Sequence, residues 1–419
     1  MLRPKIIKIR TRTGPPACAT KFRYPARTMS SLKILKHARH KVYRLYRKHI
    51  YDRGFTKLNK KAPKLTTPSK KRNEEPRKLQ LTGGSTYTIS LPKKWIIQNQ
   101  LEKNSTILVR SEDDGTLSII PSDLAKQEQL EEAYILVSPK DLPDPIIRKT
   151  VSAYLVGYNT MHIRAKNGQQ LSSKQRSSLK SFVRDLLVGT EIVTDTPSEL
   201  ILQVLLSYPE LSVQSALRRM AIITASMHKD AIAALQNTDH QLAKEVVASD
   251  NEVDRFNLYV TRQLKMAIQN PRIIKEIGLT TARDCLGYRL VTKSVERTAD
   301  HAVSIAENVL PLKRHLDERI LKKILDMSSL AISIFESAIE SLFKRDFELA
   351  ESTIQKTKDV LAMEKGAVLA AQQIGVEEAA NIRLIIESVR RTAEYSSDIA
   401  EIVLNLTVES VISRHFQTK

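Results

Sequence analysis

The amino-acid sequence predicts a multidomain, mainly α-helical protein, in which a small β module and a small α/β connector precede two tandem three-helix bundles. Hydrophobic residues make up 42% of the 419 positions, enough for buried cores, and aromatic residues only 5%. From Leu211 onward, apolar residues recur at helical spacing and prolines occur only at Pro271 and Pro311. A segment of this helical region occurs twice, which indicates a duplicated bundle.

The basic residues are concentrated at the N-terminal end. Residues 1–78 hold 25 of the 67 Lys and Arg residues but only three of the 46 acidic ones. The net charge of +21 therefore resides in this segment, and the rest of the chain is close to neutral. We interpret residues 1–76 as a basic extension. Four readings stay open: a disordered segment, residues upstream of the true start, an organellar transit peptide, or an arm that contacts nucleic-acid phosphates.

The two cysteines, Cys18 and Cys285, are too few for a disulfide framework or a cysteine-rich zinc site. Cys285 lies on an apolar helix face, so we expect it in the core. No apolar run approaches the roughly 18 residues that cross a bilayer, and we expect no membrane insertion. A reducing cytoplasm is the expected location.

Residues 77–125 have the pattern of a β module. Apolar and polar residues alternate on both sides of Gly83-Gly84, which predicts a hairpin with a tight turn. A short helix is predicted from Pro92 to Gln98, and a second hairpin about Asp113-Asp114-Gly115. So few residues bury little core, and the module is expected to need a partner subunit. The strand after the first turn is predicted to include Tyr87, Ile89 and Leu91.

The stretch TGGSTYTISLPKKW and the following ILVRSEDDGTLSIIP hairpin resemble the swapped-hairpin DNA-binding domain of the AbrB/SpoVT type. Members of that family interleave two chains into one barrel and contact DNA with basic residues on one face. The resemblance therefore implies a homodimer that binds DNA through residues 77–121. A dimerisation role alone stays open, because basic residues exceed acidic ones there by only two. The resemblance makes these residues DNA-binding candidates: Arg77, Lys78, Lys93, Lys94 and Arg110.

Residues 130–208 alternate strand and helix patterns, which predicts a small α/β connector domain. Its glycines are isolated, so the segment contains no glycine-rich phosphate-binding loop, and the sequence assigns it no ligand. The predicted elements are strands at 133–137, 160–164 and 191–194 and helices at 145–158 and 172–187.

The helical region contains an internal repeat. YRLVTKSVERTADHAVSIAE (288–307) aligns without gaps on IRLIIESVRRTAEYSSDIAE (382–401), with ten identical positions. Two unrelated helices would not match to this extent. The repeat predicts one three-helix bundle over residues 209–312 and a second over residues 313–412.

The repeat extends upstream, where ALQNTDHQLAKEV (234–246) matches SLFKRDFELAEST (341–353). This match places Asp239 and Asp346 in register. Each copy therefore reads as a helix, a turn at the aspartate, a second helix, a loop and a third helix.

The motifs ERTADHAVSIAE, RRTAEYSSDIAE and ASDNEVDRFN resemble the PhoU family of phosphate-uptake regulators. Members hold metal ions on the bundle with pairs of acidic residues four positions apart. Such pairs share a helix face, so the resemblance implies a divalent or trivalent ion such as Fe, Zn, Mn or Mg. The metal-ligand candidates in the first copy are Asp250, Asp254, Glu296 and Asp300.

The second copy departs from this pattern, and a complete second cluster is not expected. His301, next to Asp300, is interpreted as a helix-surface imidazole rather than a ligand. The second-copy counterparts of the four candidates are Thr357, Leu361, Arg390 and Glu394.

The sequence predicts no enzymatic activity, because it contains no Glu-x-x-His motif, P-loop, GxSxG or kinase signature. The two resemblances together favour a phosphate-responsive regulator of the archaeal type. It would bind DNA as a dimer through residues 77–121 and sense metal or partner state through the bundles. Two alternatives stay open. One is an adaptor that inhibits a phosphate ABC transporter, through its ATPase, or a signalling protein by contact; the other is a structural metal-binding protein.

Overall fold

The elements of the computed structural model confirm the predicted fold class, a small β module followed by an α/β connector and tandem helical bundles. None of the helices in the part of the chain that is described is long and apolar enough to cross a membrane. The basic extension before residue 75 and the predicted turn at Asp113-Asp114 lie outside the described residues. The structure describes residues 75–111, 115–122, 132–205, 211–372 and 375–412.

The β module consists of two antiparallel hairpins with a short helix between them. Gly83 and Gly84 form the first turn with φ angles of 63° and 82°, in the left-handed region that glycine adopts without strain. Trp95 and Ile96 of the helix are half-buried. The elements are β1 (Gln80–Thr82), β2 (Thr86–Thr88), α1 (Lys93–Gln98), β3 (Ile107–Ser111) and β4 (Leu117–Pro121).

The second strand is shorter than the sequence pattern predicts. The expectation that it includes Ile89 and Leu91 is wrong, because β2 ends at Thr88. Strand β1 begins at Gln80, directly opposite Thr88, so the ladder has no further pairs within this chain. The alternation of Ile89 and Leu91 therefore continues past the end of the intrachain sheet.

The connector is a mixed four-stranded sheet in the order β5-β6-β8-β7, with two helices over one face. Strand β5 is parallel to β6, whereas β8 is antiparallel to both β6 and β7. Strand β8 was not predicted from the sequence, although its buried Leu200 and Leu202 alternate with less buried residues. The elements are β5 (Glu132–Val137), α2 (Pro143–Val156), β6 (Thr160–Ala165), α3 (Ser173–Leu186), β7 (Thr190–Asp195) and β8 (Glu199–Val204).

The helical region has three long helices in each copy, and a short α6 in the first. Asp239 and Asp346 are the N-caps of the second helices, where their carboxylates accept backbone N–H groups. The third helices begin at Ala282 and Val376, which correspond in the repeat alignment. The elements are α4 (Val213–Asn237), α5 (His240–Gln269), α6 (Pro271–Glu276), α7 (Ala282–Val309), α8 (Glu318–Lys344), α9 (Phe347–Ala371) and α10 (Val376–Thr407).

The two copies share one continuous hydrophobic core. Helices α7 and α10, the third helices of the copies, pack against each other, and α4 contacts α8. Buried residues of both copies, among them Val291, Val295, Ile385 and Val389, belong to the same cluster, which also holds the buried Cys285. The repeats are therefore tandem in sequence but form a single packed unit.

Candidate functional site

The basic residues predicted to contact DNA lie in the β module. Lys93 and Lys94 are exposed and form the start of α1. Arg77 and Lys78 are exposed just before β1, and Arg77 pairs with Glu75. Arg110 lies in β3, where its backbone is opposite Ser118 of β4. Lys78, Lys93 and Lys94 are thus placed where a phosphate backbone could reach them.

The β module exposes an unusually large share of its apolar side chains. Leu81 and Tyr87, partners across the first hairpin, are 58% and 70% exposed. Val109 and Leu117 of the second hairpin are also exposed. Among the module residues whose side chains are described, only Pro121 is buried. Two hairpins that bury so few of their described side chains are marginally stable alone in water, and such an exposed apolar surface is typical of an interaction site.

The metal-ligand candidates of the first copy lie on two helices, Asp250 and Asp254 on α5 and Glu296 and Asp300 on α7. Glu296 is only 1% exposed, and its Oε2 lies 2.5 Å from Nζ of Lys293. This ammonium group balances the buried carboxylate. Within the described ranges, no group of three or more His, Cys, Asp or Glu side chains is arranged to hold a metal ion.

The second copy holds an arginine where the first has Glu296. The Nε of Arg390 lies 2.9 Å from Oε1 of Glu364 on α9, and its guanidinium also pairs with Glu394 on α10. One cation therefore joins carboxylates from two helices. Lys293 in the first copy and Arg390 in the second both supply an internal countercharge to neighbouring acidic residues.

A buried histidine joins the two copies, and the sequence analysis did not identify it. His228 of α4 is fully buried, with Nε2 lying 2.8 Å from Oγ of Ser328 and Nδ1 3.4 Å from Oγ1 of Thr392. The Thr392 hydroxyl donates to the Ser388 carbonyl, so it accepts from Nδ1–H, and the Ser328 hydroxyl donates to Nε2. Burial, followed by the charge of nearby Lys229, lowers the pKa of His228 to about 4. The imidazole is therefore neutral at pH 7.

Two family models match separate parts of this chain. Residues 217–309 and 324–403 match the model of the PhoU domain. Residues 80–132 match the model described as antidote-toxin recognition MazE, bacterial antitoxin. The first match covers most of both helical copies, and the second covers the β module.

Two curated relatives of this chain are both named as PhoU homologs. The chain is 22% identical over 155 residues to a phosphate-specific transport system accessory protein PhoU homolog of Clostridium acetobutylicum, covering 36% of this chain and 68% of the relative. It is 24% identical over 202 residues to the phosphate-specific transport system accessory protein PhoU homolog 1 of Thermotoga maritima, covering 46% and 84%.

Two crystal structures are also similar. PhoU from Pseudomonas aeruginosa matches with a TM-score of 0.43 and 21% identity, covering 47% of this chain and 96% of that one. The phosphate transport system regulatory protein PhoU from Streptococcus pneumoniae matches with a TM-score of 0.42 and 18% identity, covering 48% and 96%.

Proposed function

We propose, on the premise that the helical region contains two PhoU domains, that this chain regulates phosphate transport in response to phosphate supply. The pair of matches at residues 217–309 and 324–403 is the observation that carries the proposal. Both curated relatives are named as accessory proteins of phosphate-specific transport systems, which supports it. The proposed role is regulatory rather than enzymatic.

The proposal extends to DNA binding by a homodimer through the β module. The match of residues 80–132 to an antitoxin-type domain supports a DNA-binding role for the module. Its exposed apolar hairpins support a dimer, because a second copy would cover them. Lys93 and Lys94 are the residues that we expect to contribute most, since both are exposed at the start of α1.

A metal ion at Asp250, Asp254, Glu296 and Asp300 is a separate proposal, and it rests on the family resemblance alone. Glu296 pairs with Lys293, so an ion bound to Glu296 would have to take the place of this ammonium group. Elemental analysis of the purified protein checks it. Stoichiometric Fe, Zn, Mn or Mg that is lost in an Asp250→Asn, Asp254→Asn variant would support the proposal, and metal-free wild-type protein would contradict it.

A second candidate is an adaptor that acts on a phosphate transporter ATPase or a signalling protein by direct contact. An open groove of about 660 Å³ between α4 and α8 favours this candidate. Its lining includes the exposed Ile222 and the half-buried Ile339 and Phe343. In this reading, the β module would serve only for dimerisation.

Phosphate uptake and transcripts of phosphate-transport genes, measured at high and low phosphate, separate these functions. Deletion of the gene should make uptake insensitive to phosphate. Lys93→Glu with Lys94→Glu should remove the phosphate response of the transcripts, because DNA phosphates repel the new charges. The matched control is Lys322→Glu with Lys323→Glu, an adjacent exposed lysine pair on α8.

Three outcomes of this experiment are informative. Loss of transcript control in the Lys93, Lys94 variant alone supports the DNA-binding regulator. Normal transcript control in both variants, with uptake still deregulated by the deletion, supports the adaptor. Unchanged uptake in the deletion strain would contradict any role in phosphate transport.

A further inference from the structure

Helix α5 packs against both the first PhoU domain and the connector, and a stretch within its second half has no solvent-facing side. Residues 256–264 are all buried. Phe256, Tyr259 and Val260 belong to the core of the bundles, whereas Leu258 belongs to the core of the connector. One helix therefore contributes to two cores, and it contacts both connector helices, α2 and α3.

Arg262 lies at the centre of this contact and occupies the C-terminal end of α2. Its guanidinium donates to the carbonyls of Tyr154, Gly157 and Tyr158 and to Oδ1 of Asn159. The distances to Gly157, Tyr158 and Asn159 are 3.0, 3.0 and 2.7 Å. Its carbon Cζ also lies 4.9 Å from the centre of the Tyr154 ring.

The chemistry of this contact is specific to arginine. The last carbonyls of a helix have no intrahelical partners and carry the negative end of the helix dipole, so a cation there is favourable. Arg262 is only 3% exposed, and a buried charge needs several hydrogen bonds to offset its lost hydration. A planar guanidinium can donate to several acceptors at once, whereas the single ammonium of lysine cannot reproduce the same fork.

The packing one turn further along α5 is equally close. Gly157, the C-cap of α2, has a φ angle of 121°, and a Cβ built on it would lie 3.2 Å from Cγ of Met266. The end of α2 is therefore held by hydrogen bonds to Arg262 and by contact with Met266. We call this contact between the end of α2 and α5 the joint. Because it is packed on both sides, it permits little rotation between the two helices.

We propose that Arg262 is a positioning residue, which fixes the connector on the first PhoU domain and transmits movements of α5 toward the β module. The inference rests on the proposed function, because transmission requires a signal in the bundles and an output in the β module. The connector precedes the bundles in the chain and follows the module, and strand β6 begins only four residues after α2 ends. A shift of α5 would move α2, and the sheet would follow.

Two readouts test this proposal in the full-length protein. The variant is Arg262→Met, with Arg262→Lys as the conservative change. Arg255→Met is the matched control, because Arg255 lies on the same helix and pairs only loosely, at 3.6 Å, with Glu252. The first readout is hydrogen exchange of the backbone amides at residues 153–159. The second is the phosphate response of phosphate-transport transcripts, together with DNA affinity at fixed salt.

Arg262→Met should accelerate exchange at residues 153–159 by about 10-fold or more, while exchange in α7 and α10 stays unchanged. Its DNA affinity should remain that of the wild type, and its phosphate response should be lost. Arg262→Lys should give a smaller acceleration, and Arg255→Met none.

The outcomes separate the joint from the proposed function. Equal rates of hydrogen exchange at residues 153–159 in Arg262→Met and Arg255→Met would show that Arg262 does not hold the end of α2. Faster exchange with an intact phosphate response would overturn its role in transmission. A wild-type protein without any phosphate response would instead overturn the proposed function, and the exchange data would still decide whether the joint exists.

Discussion

The helical region and the β module of this chain differ in how they are stabilised. The helical region has one core that runs through both copies, with side chains such as Ile385 and Val389 fully buried. The β module has two short hairpins whose apolar residues, including Leu81 and Tyr87, face solvent. The described residues of the first form a core within one chain, whereas those of the second leave an apolar surface that we propose a second copy covers.

This difference predicts that the two regions respond differently to mutation. A domain with a complete core responds to mutation through its own free energy of unfolding. A module without a core responds through association, because the buried area forms only when two surfaces meet. The same kind of substitution should therefore have different consequences in the two regions.

The largest effect is expected from a cavity in the shared core. Phe335 of α8 is buried in the cluster that both copies form. Phe335→Ala should lower the free energy of unfolding by about 3–5 kcal/mol, measured by chemical denaturation, because it removes packed apolar volume. Leu81→Ala in the β module should change the same quantity by less than about 0.5 kcal/mol. Equal losses in the two variants would remove the distinction between the regions.

The next effect concerns pH and the buried His228 between the copies. Its pKa in the folded protein, about 4, lies below the 6.5 of an unperturbed histidine, mainly because of burial. Between pH 6.5 and 4 the unfolded chain therefore binds a proton that the folded protein does not, so stability is lost as the pH falls. The loss should reach up to about 3 kcal/mol. Ser328 and Thr392 contact the ring, with Lys229 and His301 as the nearby charged or titratable groups.

Denaturation curves between pH 7 and 4 for the wild type and His228→Gln measure this contribution, because other titrating groups cancel in the difference. The wild type should lose more stability than the variant over this range. Equal losses of stability in the two proteins would contradict the lowered pKa of His228.

The third expected effect concerns association through the β module rather than folding. Leu81→Asp with Tyr87→Asp should raise the dimer dissociation constant at least about 100-fold, roughly 2.7 kcal/mol, measured by analytical ultracentrifugation. The reason is that charge would replace the apolar contacts of the interface. Stability of the helical region should not change.

The matched control for this prediction is Ile222→Asp with Leu286→Asp. Both residues lie on helices of the first copy and are 63% exposed, a fraction similar to the exposed fractions of Leu81 and Tyr87. The control should leave the dimer intact. Dissociation by the control but not by the module variant would place the interface on the bundles.

The local sequence signals predicted much of this fold. Asp239 and Asp346, matched by the repeat alignment, are the N-caps of equivalent helices, because a short carboxylate accepts the free N–H groups of a first turn. The third helices likewise start at matching positions. Strand β8 was missed although its alternation is visible, and β2 was predicted too long because alternation does not reveal where a partner strand begins.

The residues that join parts of the molecule were the ones that sequence reasoning could not find. His228 and Arg262 each stand beside other polar residues in an amphipathic helix, and their roles depend on partners 100 or more positions away. No local spacing encodes such contacts. The sequence shows that Lys293 and Glu296 are three positions apart on one helix. Only the structure shows that the Glu296 carboxylate is buried and pairs with the Lys293 ammonium group.

DNA binding through the β module is the step on which the proposed regulation of phosphate transport depends. Genome-wide DNA occupancy of the full-length tagged protein, at high and low phosphate, tests it most directly. We predict discrete peaks upstream of phosphate-transport genes, with heights that change with phosphate and vanish in the Lys93→Glu, Lys94→Glu variant. Occupancy that is the same for wild type and variant at both phosphate levels would contradict the claim.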